Sequence, residues 1–138
     1  MSRQEEEKIA VSPLAKPVVA VVDDDYRVLE SLEDLLESAG YGVRLFDSVK
    51  QFLDSAITEV DCVISDIVMP GADGFALQQI IRNFRPSLPV ILITGRHEFA
   101  RAEHEAERGG RRLFEKPFDK SELLAAIASE LQGSGGNP

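Results

Sequence analysis

A small set of residues in this chain combines types and positions that could do chemistry together. Asp23, Asp24 and Asp25 follow the apolar run Val18-Val19-Ala20-Val21-Val22, and Asp66 follows Cys62-Val63-Ile64-Ser65. Thr94 closes Val90-Ile91-Leu92-Ile93, and Lys116 stands just after Leu113-Phe114 and before Pro117. Taken singly, each has a bland reading. An Asp run after a strand is commonly a solvated turn or a helix cap, a threonine is an ordinary strand end, and a lysine an ordinary surface charge. Brought into one crevice, the carboxylates conflict: two like charges about 4 Å apart repel by roughly 4 kcal/mol at an effective dielectric of 20. Protonating one of them or binding a cation relieves this. Hard oxygen donors suit Mg²⁺, so a divalent ion is the better remedy. A carboxylate nucleophile, a divalent cation, a hydroxyl and an ammonium make a phosphoryl-transfer site. Asp66 would attack phosphorus to form an aspartyl phosphate. The metal, Thr94 and Lys116 would neutralise the charge on the equatorial oxygens.

The elements that must position these residues are legible from periodicity. The run at 18–22 does not alternate, as expected of a strand buried on both faces. Val28, Leu32, Leu35, Leu36 and Ala39 then form a helical stripe that ends at Gly40, a C-cap residue. Val43 and Leu45 alternate in a second strand, and Ser48 caps a helix carrying Val49, Phe52, Leu53 and Ile57. Cys62-Val63-Ile64 is the third strand, and Phe75, Leu77, Ile80, Ile81 and Phe84 mark the next helix. Val90 to Ile93 is the fourth strand, residues 97–108 are a polar helix, and Leu113-Phe114 is a short fifth strand. Asp119 and Glu122 open a last helix with Leu123, Leu124, Ile127 and Leu131. Alternation of this kind predicts a single α/β domain, a doubly wound (βα)5 flavodoxin-like fold with a parallel sheet in the order 2-1-3-4-5. In that order the functional crevice lies at the carboxyl ends of strands 1 and 3, where the aspartates fall.

Length and composition bound the answer. The 138 residues fit one ordinary domain, and 43% apolar residues suffice for a core, which excludes wholesale disorder. A formal charge of -9 lacks the electrostatic footprint for phosphate backbones, so direct nucleic-acid binding is not expected. No apolar stretch approaches a membrane span, and the start MSRQEEEKIAVSP has no apolar core of a secretory signal. A cytoplasmic protein without membrane contact is expected, with the lone Cys62 buried. Residues 1–16 form an acidic, proline-containing N-terminal tail, 17–131 the folded body, and 132–138 a Gly/Ser-rich tail or linker.

Four segments, VVDDD (Val21 to Asp25), SDIVMPGADG (Ser65 to Gly74), ITG (Ile93 to Gly95) and EKPF (Glu115 to Phe118), fall in order on these strand ends. With them the chain resembles the receiver domain of two-component response regulators over residues 17–131. The phrases LFDSVKQFL and LPVILITG resemble the FixJ-like subgroup. The resemblance implies that Asp66 is the phosphoacceptor and that Asp23 and Asp24 hold Mg²⁺, Asp24 directly and Asp23 through water. It implies the backbone carbonyl of Val68 as a further ligand, Thr94 as the switch hydroxyl, Lys116 as the family's lysine, and a cis Lys116–Pro117 peptide. Asp25 falls one place beyond the acidic pair and starts the helix. The implied partners are a sensor histidine kinase or a histidine phosphotransfer protein, and the implied activity is Mg²⁺-dependent self-phosphorylation rather than ordinary enzymatic turnover. The output expected is that of a single-domain regulator; the alternative is the receiver of a two-domain DNA-binding transcription regulator.

The chain departs from the family pattern in two places. Three residues before the lysine the family has Tyr or Phe, whereas here the switch position is Leu113 and the aromatic Phe114 comes one later. Successive strand residues face opposite ways, so Phe114 cannot stand in without a register slip. The segment 96–112 is rich in Arg and Glu, which favours a solvated, salt-bridged helix over a specific charged interface; in the family this helix often carries an apolar dimer or output face, so the resemblance leaves open a homodimer of this chain through the 96–131 face. His97 and His104 lack companion ligands for a metal. A hydrolytic phosphatase would commonly need an acid two residues after the nucleophile, where Val68 stands. The intact Asp24, Asp66, Thr94 and Lys116 argue against a pseudo-receiver that only binds partners. Val68 offers an incoming water no hydrogen bond and Arg96 can cover the phosphoryl group, so slow autodephosphorylation is expected.

Overall fold

The computed structural model describes residues 16–67, 69, 74–95 and 112–136. Five strands, β1 (Val18–Val22), β2 (Gly42–Phe46), β3 (Cys62–Asp66), β4 (Val90–Thr94) and β5 (Arg112–Glu115), pair in parallel in the order β2-β1-β3-β4-β5. This is the expected doubly wound order. Four helices are described: α1 (Tyr26–Ser38), α2 (Val49–Ser55), α3 (Gly74–Phe84) and α4 (Lys120–Gly136). The helix expected over 97–108 lies outside the described residues, as do the N-terminal tail to residue 15 and Val68.

Strand alternation sorts the core into two layers. Val19, Val21, Cys62, Ile64, Ile91 and Ile93 turn to one face, where Leu29, Leu32 and Leu36 of α1 and Leu123 and Ile127 of α4 cover them. Ala20, Val22 and Val63 turn to the other, against Val49 and Phe52 of α2 and Leu77 and Ile81 of α3. β3, between β1 and β4, is buried along its whole length, which is why its sequence does not alternate in polarity. Truncating a fully buried leucine such as Leu32 would cost about 2–5 kcal/mol, because the removed methyls leave a cavity as well as lost transfer energy.

Local signals set the helix ends. The Asp25 side chain caps α1 by accepting from the Arg27 N–H at 3.0 Å. Its far end closes in a Schellman motif: Gly40 N–H donates to Glu37 C=O and Tyr41 N–H to Leu36 C=O, each at 3.0 Å. Gly40 holds φ 94°, a value side chains disfavour. Ser48 accepts from Gln51 N–H at 3.1 Å, and Asp119 from Glu122 N–H at 2.9 Å.

Several details differ from expectation. The buried stripe of α1 is Leu29, Leu32 and Leu36, with Val28 and Leu35 flanking it and Ala39 exposed. Ile57 lies in a turn beyond α2. Phe84 ends α3 at 78% exposure and is not part of its buried face. α4 continues to Gly136, through glycines assigned to a tail. Once a helix is nucleated, each added residue gains a backbone hydrogen bond, which carries it past the end of the apolar stripe at Leu131.

Candidate functional site

Four strands deliver one residue each to the carboxyl edge of the sheet. Asp66 and Thr94 are the last residues of β3 and β4, Asp23 directly follows β1, and Lys116 directly follows β5. Backbone bonds hold these exits in place: Asp23 N–H donates to Phe46 C=O at 3.1 Å, and Lys116 N–H to Thr94 C=O at 2.7 Å. The Lys116–Pro117 peptide is cis, as expected.

The carboxylates converge as their spacing implied. One carboxylate oxygen each of Asp23, Asp24 and Asp66 lies within 4.8 Å of the others. Asp23 is fully buried, Asp66 is 7% exposed, and Asp24 faces solvent at the mouth. Asp25 is the helix cap already described, separate from the cluster. Its exposed carboxyl lies below the usual range, chiefly because it accepts the Arg27 N–H.

The chain itself relieves part of the like-charge conflict. The Lys116 ammonium donates to Asp23 Oδ2 at 3.0 Å and to Asp66 Oδ2 at 3.2 Å, bridging the two buried carboxylates. The other oxygen of Asp23 accepts the Asp25 N–H at 2.9 Å. Burial pushes the Asp23 carboxyl upward and the Asp66 charge adds to the rise, against the Asp25 N–H and the Lys116 ammonium. For Lys116, burial works against the charge, but its bonds to Asp23 and Asp66 outweigh it and raise the ammonium.

Three carboxylates against one ammonium leave two negative charges, which a divalent cation balances. The donors are hard oxygens, as Mg²⁺ prefers, and they stand close enough to share one ion. The residues present therefore fit Mg²⁺. The backbone carbonyl of Val68, expected as a further ligand, lies outside the described residues.

Thr94 is fully buried, and its Oγ1 has no hydrogen-bond partner among the described residues. A buried hydroxyl without a partner is costly, so this atom suits an oxygen that arrives from outside. Leu113 pairs in register with Leu92 and packs with Ile67, Leu92 and Phe75, whereas Phe114 packs into the layer under α1 and α4. The aromatic ring is thus on the wrong face to replace the family's switch residue. Beside Lys116 opens a groove of about 520 Å³, rimmed by Arg27 and Lys120 and floored by Val28 and Phe118. Sequence reasoning did not foresee this groove, whose rim joins the first turns of α1 and α4.

Gly74 carries a signal that was present in the sequence but whose meaning needs coordinates. A Cβ there would stand 2.6 Å from the Asp66 carbonyl oxygen, so only glycine lets α3 begin this close to the acidic strand end.

Comparison with known proteins agrees with the fold. The family model of the response regulator receiver domain matches residues 19–128, and the chain belongs to that family. The transcriptional regulatory protein FixJ of Bradyrhizobium diazoefficiens is 36% identical over 115 residues, covering 83% of this chain and 56% of FixJ. The response regulator protein TodT of Pseudomonas putida is 34% identical over 116 residues, 83% of this chain and 51% of TodT. The chain thus spans about half the length of these curated relatives. Among solved structures, full-length FixJ from B. japonicum superposes with a TM-score of 0.78 at 37% identity, over 88% of this chain and 61% of that one. The signal receiver domain of an HD domain-containing protein from Pseudomonas fluorescens gives 0.77 at 30% identity, over 86% and 89%. The chain is a FixJ-like receiver of two-component signalling with the family's acidic, Mg²⁺-type pocket. Among the described residues no helix is long and apolar enough to cross a membrane.

Proposed function

We propose that this receiver takes a phosphoryl group from the phosphohistidine of a sensor kinase or phosphotransfer protein onto Asp66. The observation that carries the reading is the Lys116 ammonium, which lies 3.2 Å from Asp66 Oδ2 while also paired with Asp23. An Asp66 carboxylate oxygen attacks phosphorus, the donor's N–P bond breaks, and the imidazole leaves with its electron pair and takes up a proton. Asp23, Asp24 and Asp66 would hold Mg²⁺, which when bound neutralises phosphoryl oxygen charge. Lys116 turns part of its charge from Asp66 to a phosphoryl oxygen, and the Thr94 hydroxyl donates to another. Thr94 and Leu113 form the switch, with Leu113 moving within its apolar cluster instead of swinging a ring. Hydrolysis is slow because Val68 offers water no hydrogen bond and Arg96 covers the phosphoryl group and competes for the water's place.

The functional unit is 17–131, which the family match over 19–128 supports. Its charge of -9 favours a protein partner in the cytoplasm as the output over direct contact with nucleic acid, as in a single-domain regulator. The 34–36% identity to FixJ and TodT favours a second reading, the receiver of a two-domain transcription regulator. Whether the natural reading frame continues past Pro138 separates the two. The chemistry is tested by incubation with acetyl phosphate and Mg²⁺ followed by mass spectrometry. The parent gains one phosphate mass and Asp66→Asn gains none; stoichiometric labelling of Asp66→Asn refutes the assignment.

A further inference from the structure

Ser65 is a polar residue in a place where the fold asks for an apolar one. It is fully buried in β3, in register with Val22 on one side and Leu92 on the other. A valine would meet the packing demand of such a strand position, and a buried hydroxyl is unfavourable unless it is bonded. The Ser65 hydroxyl donates to the main-chain carbonyl of the next residue, Asp66, at 2.9 Å. The N–H of that same peptide unit, belonging to Ile67, donates to Ile93 C=O at 2.9 Å. The peptide plane between Asp66 and Ile67 is therefore gripped at both its oxygen and its nitrogen. A third constraint acts on it from α3: Gly74 lies against the Asp66 carbonyl, and its N–H donates to Ile67 C=O at 2.8 Å.

We propose that Ser65 is a positioning residue for Asp66: its hydroxyl fixes the peptide plane that follows Asp66, and so fixes where the Asp66 carboxylate stands among Asp23, Asp24 and Lys116. The Ser65 hydroxyl bonds to the main chain of its neighbour and acts through that backbone. The inference rests on the reading of Asp66 as part of a Mg²⁺-binding phosphoacceptor site.

The test is an equilibrium titration with Mg²⁺ alone, followed through backbone amide signals, on the parent, Ser65→Ala, Ser65→Val and Ser65→Thr. Thr keeps the hydroxyl, and Val has the shape of Thr without it. Groups that orient a metal's ligands typically change affinity by tenfold or more, so Ser65→Ala and Ser65→Val should need roughly tenfold more Mg²⁺ for half-saturation. Ser65→Thr should stay close to the parent, whatever the melting temperatures of the four proteins. A Ser65→Ala protein with the parent's Mg²⁺ affinity overturns the proposal even if it melts lower, since the hydroxyl would then be merely structural. Equal weakening in Ser65→Thr and Ser65→Val overturns it too. A parent that binds Mg²⁺ but takes no label from acetyl phosphate refutes the phosphoacceptor reading instead, and the order of the four Mg²⁺ affinities still decides the role of Ser65.

Discussion

Replacing Lys116 by methionine keeps an unbranched side chain, shorter only by the terminal atom, and removes the charge and its hydrogen bonds. In the parent the ammonium bridges Asp23 and Asp66 at 3.0 and 3.2 Å. Removing one partner of a buried ion pair typically costs about 3–5 kcal/mol, because the carboxylates left behind stay desolvated. The Lys116 side chain keeps 23% exposure, so water screens part of the interaction and the loss should sit near the lower end, about 3 kcal/mol. For a domain of this size that lowers the melting temperature in EDTA by about 10 °C. Mg²⁺ should reverse the deficit more than it stabilises the parent, because the variant's pocket holds three carboxylates with no ammonium. The deficit also depends on pH. Burial already raises the Asp23 carboxyl in the folded state. A carboxyl raised on folding favours the fold when protonated, so its contribution is present below the unfolded value, about 4, and is lost as pH rises through the folded one. Losing Lys116 raises that folded value further, so the variant should fall behind the parent as pH climbs from about 4 to neutrality. Thermal unfolding of both proteins at acid and neutral pH, with EDTA and with Mg²⁺, measures all of this. Equal Mg²⁺ stabilisation of parent and variant, or a deficit that does not change with pH, refutes the bridging argument.

Asp24→Asn should weaken Mg²⁺ binding by about tenfold or more while leaving metal-free stability within about 0.5 kcal/mol, because Asp24 faces solvent; calorimetric titration and melting in EDTA check the two halves. Gly74→Ala should lower the urea midpoint by an amount equivalent to about 1–3 kcal/mol, since its Cβ would press on backbone at 2.6 Å and that outweighs the gain in helix propensity. An equally stable Gly74→Ala protein would show that the start of α3 can shift freely. Cys62 is fully buried with its thiol pushed up to about 12 by desolvation, so iodoacetamide should modify it only as fast as the protein unfolds, with no pH optimum near neutrality.

Much of this was open to reading from residues alone, for physical reasons. Parallel strands buried on both faces leave unbroken apolar runs, so β1, β3 and β4 announced themselves, and the sheet order followed from their alternation with helices. That order by itself brings Asp23, Asp24 and Asp66 to one crevice. The bridging by Lys116 was not legible as a remedy for like-charge crowding, because it depends on the register of β5 against β4, which the short run Leu113-Phe114 does not specify. The role of Gly74 was hidden for a similar reason: a close approach between a helix start and a strand end is a distance, and the letter G states only permission. Leu29 was missed because a stripe counted from Val28 skips its neighbour, although the face that α1 buries is centred between them. The exposure of Phe84, the last residue of α3, is likewise not given by periodicity, which counts spacing and not packing partners.

The pairing of Lys116 with Asp23 and Asp66 also joins the beginning, middle and end of the described chain at one point. β5 is the last strand in sequence and lies at one edge of the sheet, so the counter-charge comes from the last strand to be synthesised. A polypeptide emerging from the ribosome would already contain both aspartates while still lacking their cation, and its early β-α units would carry a repulsion that the finished domain relieves in part. The acidic pocket is then completed cooperatively, with closure of the final edge, and the balance of charge within it is a property of the whole domain.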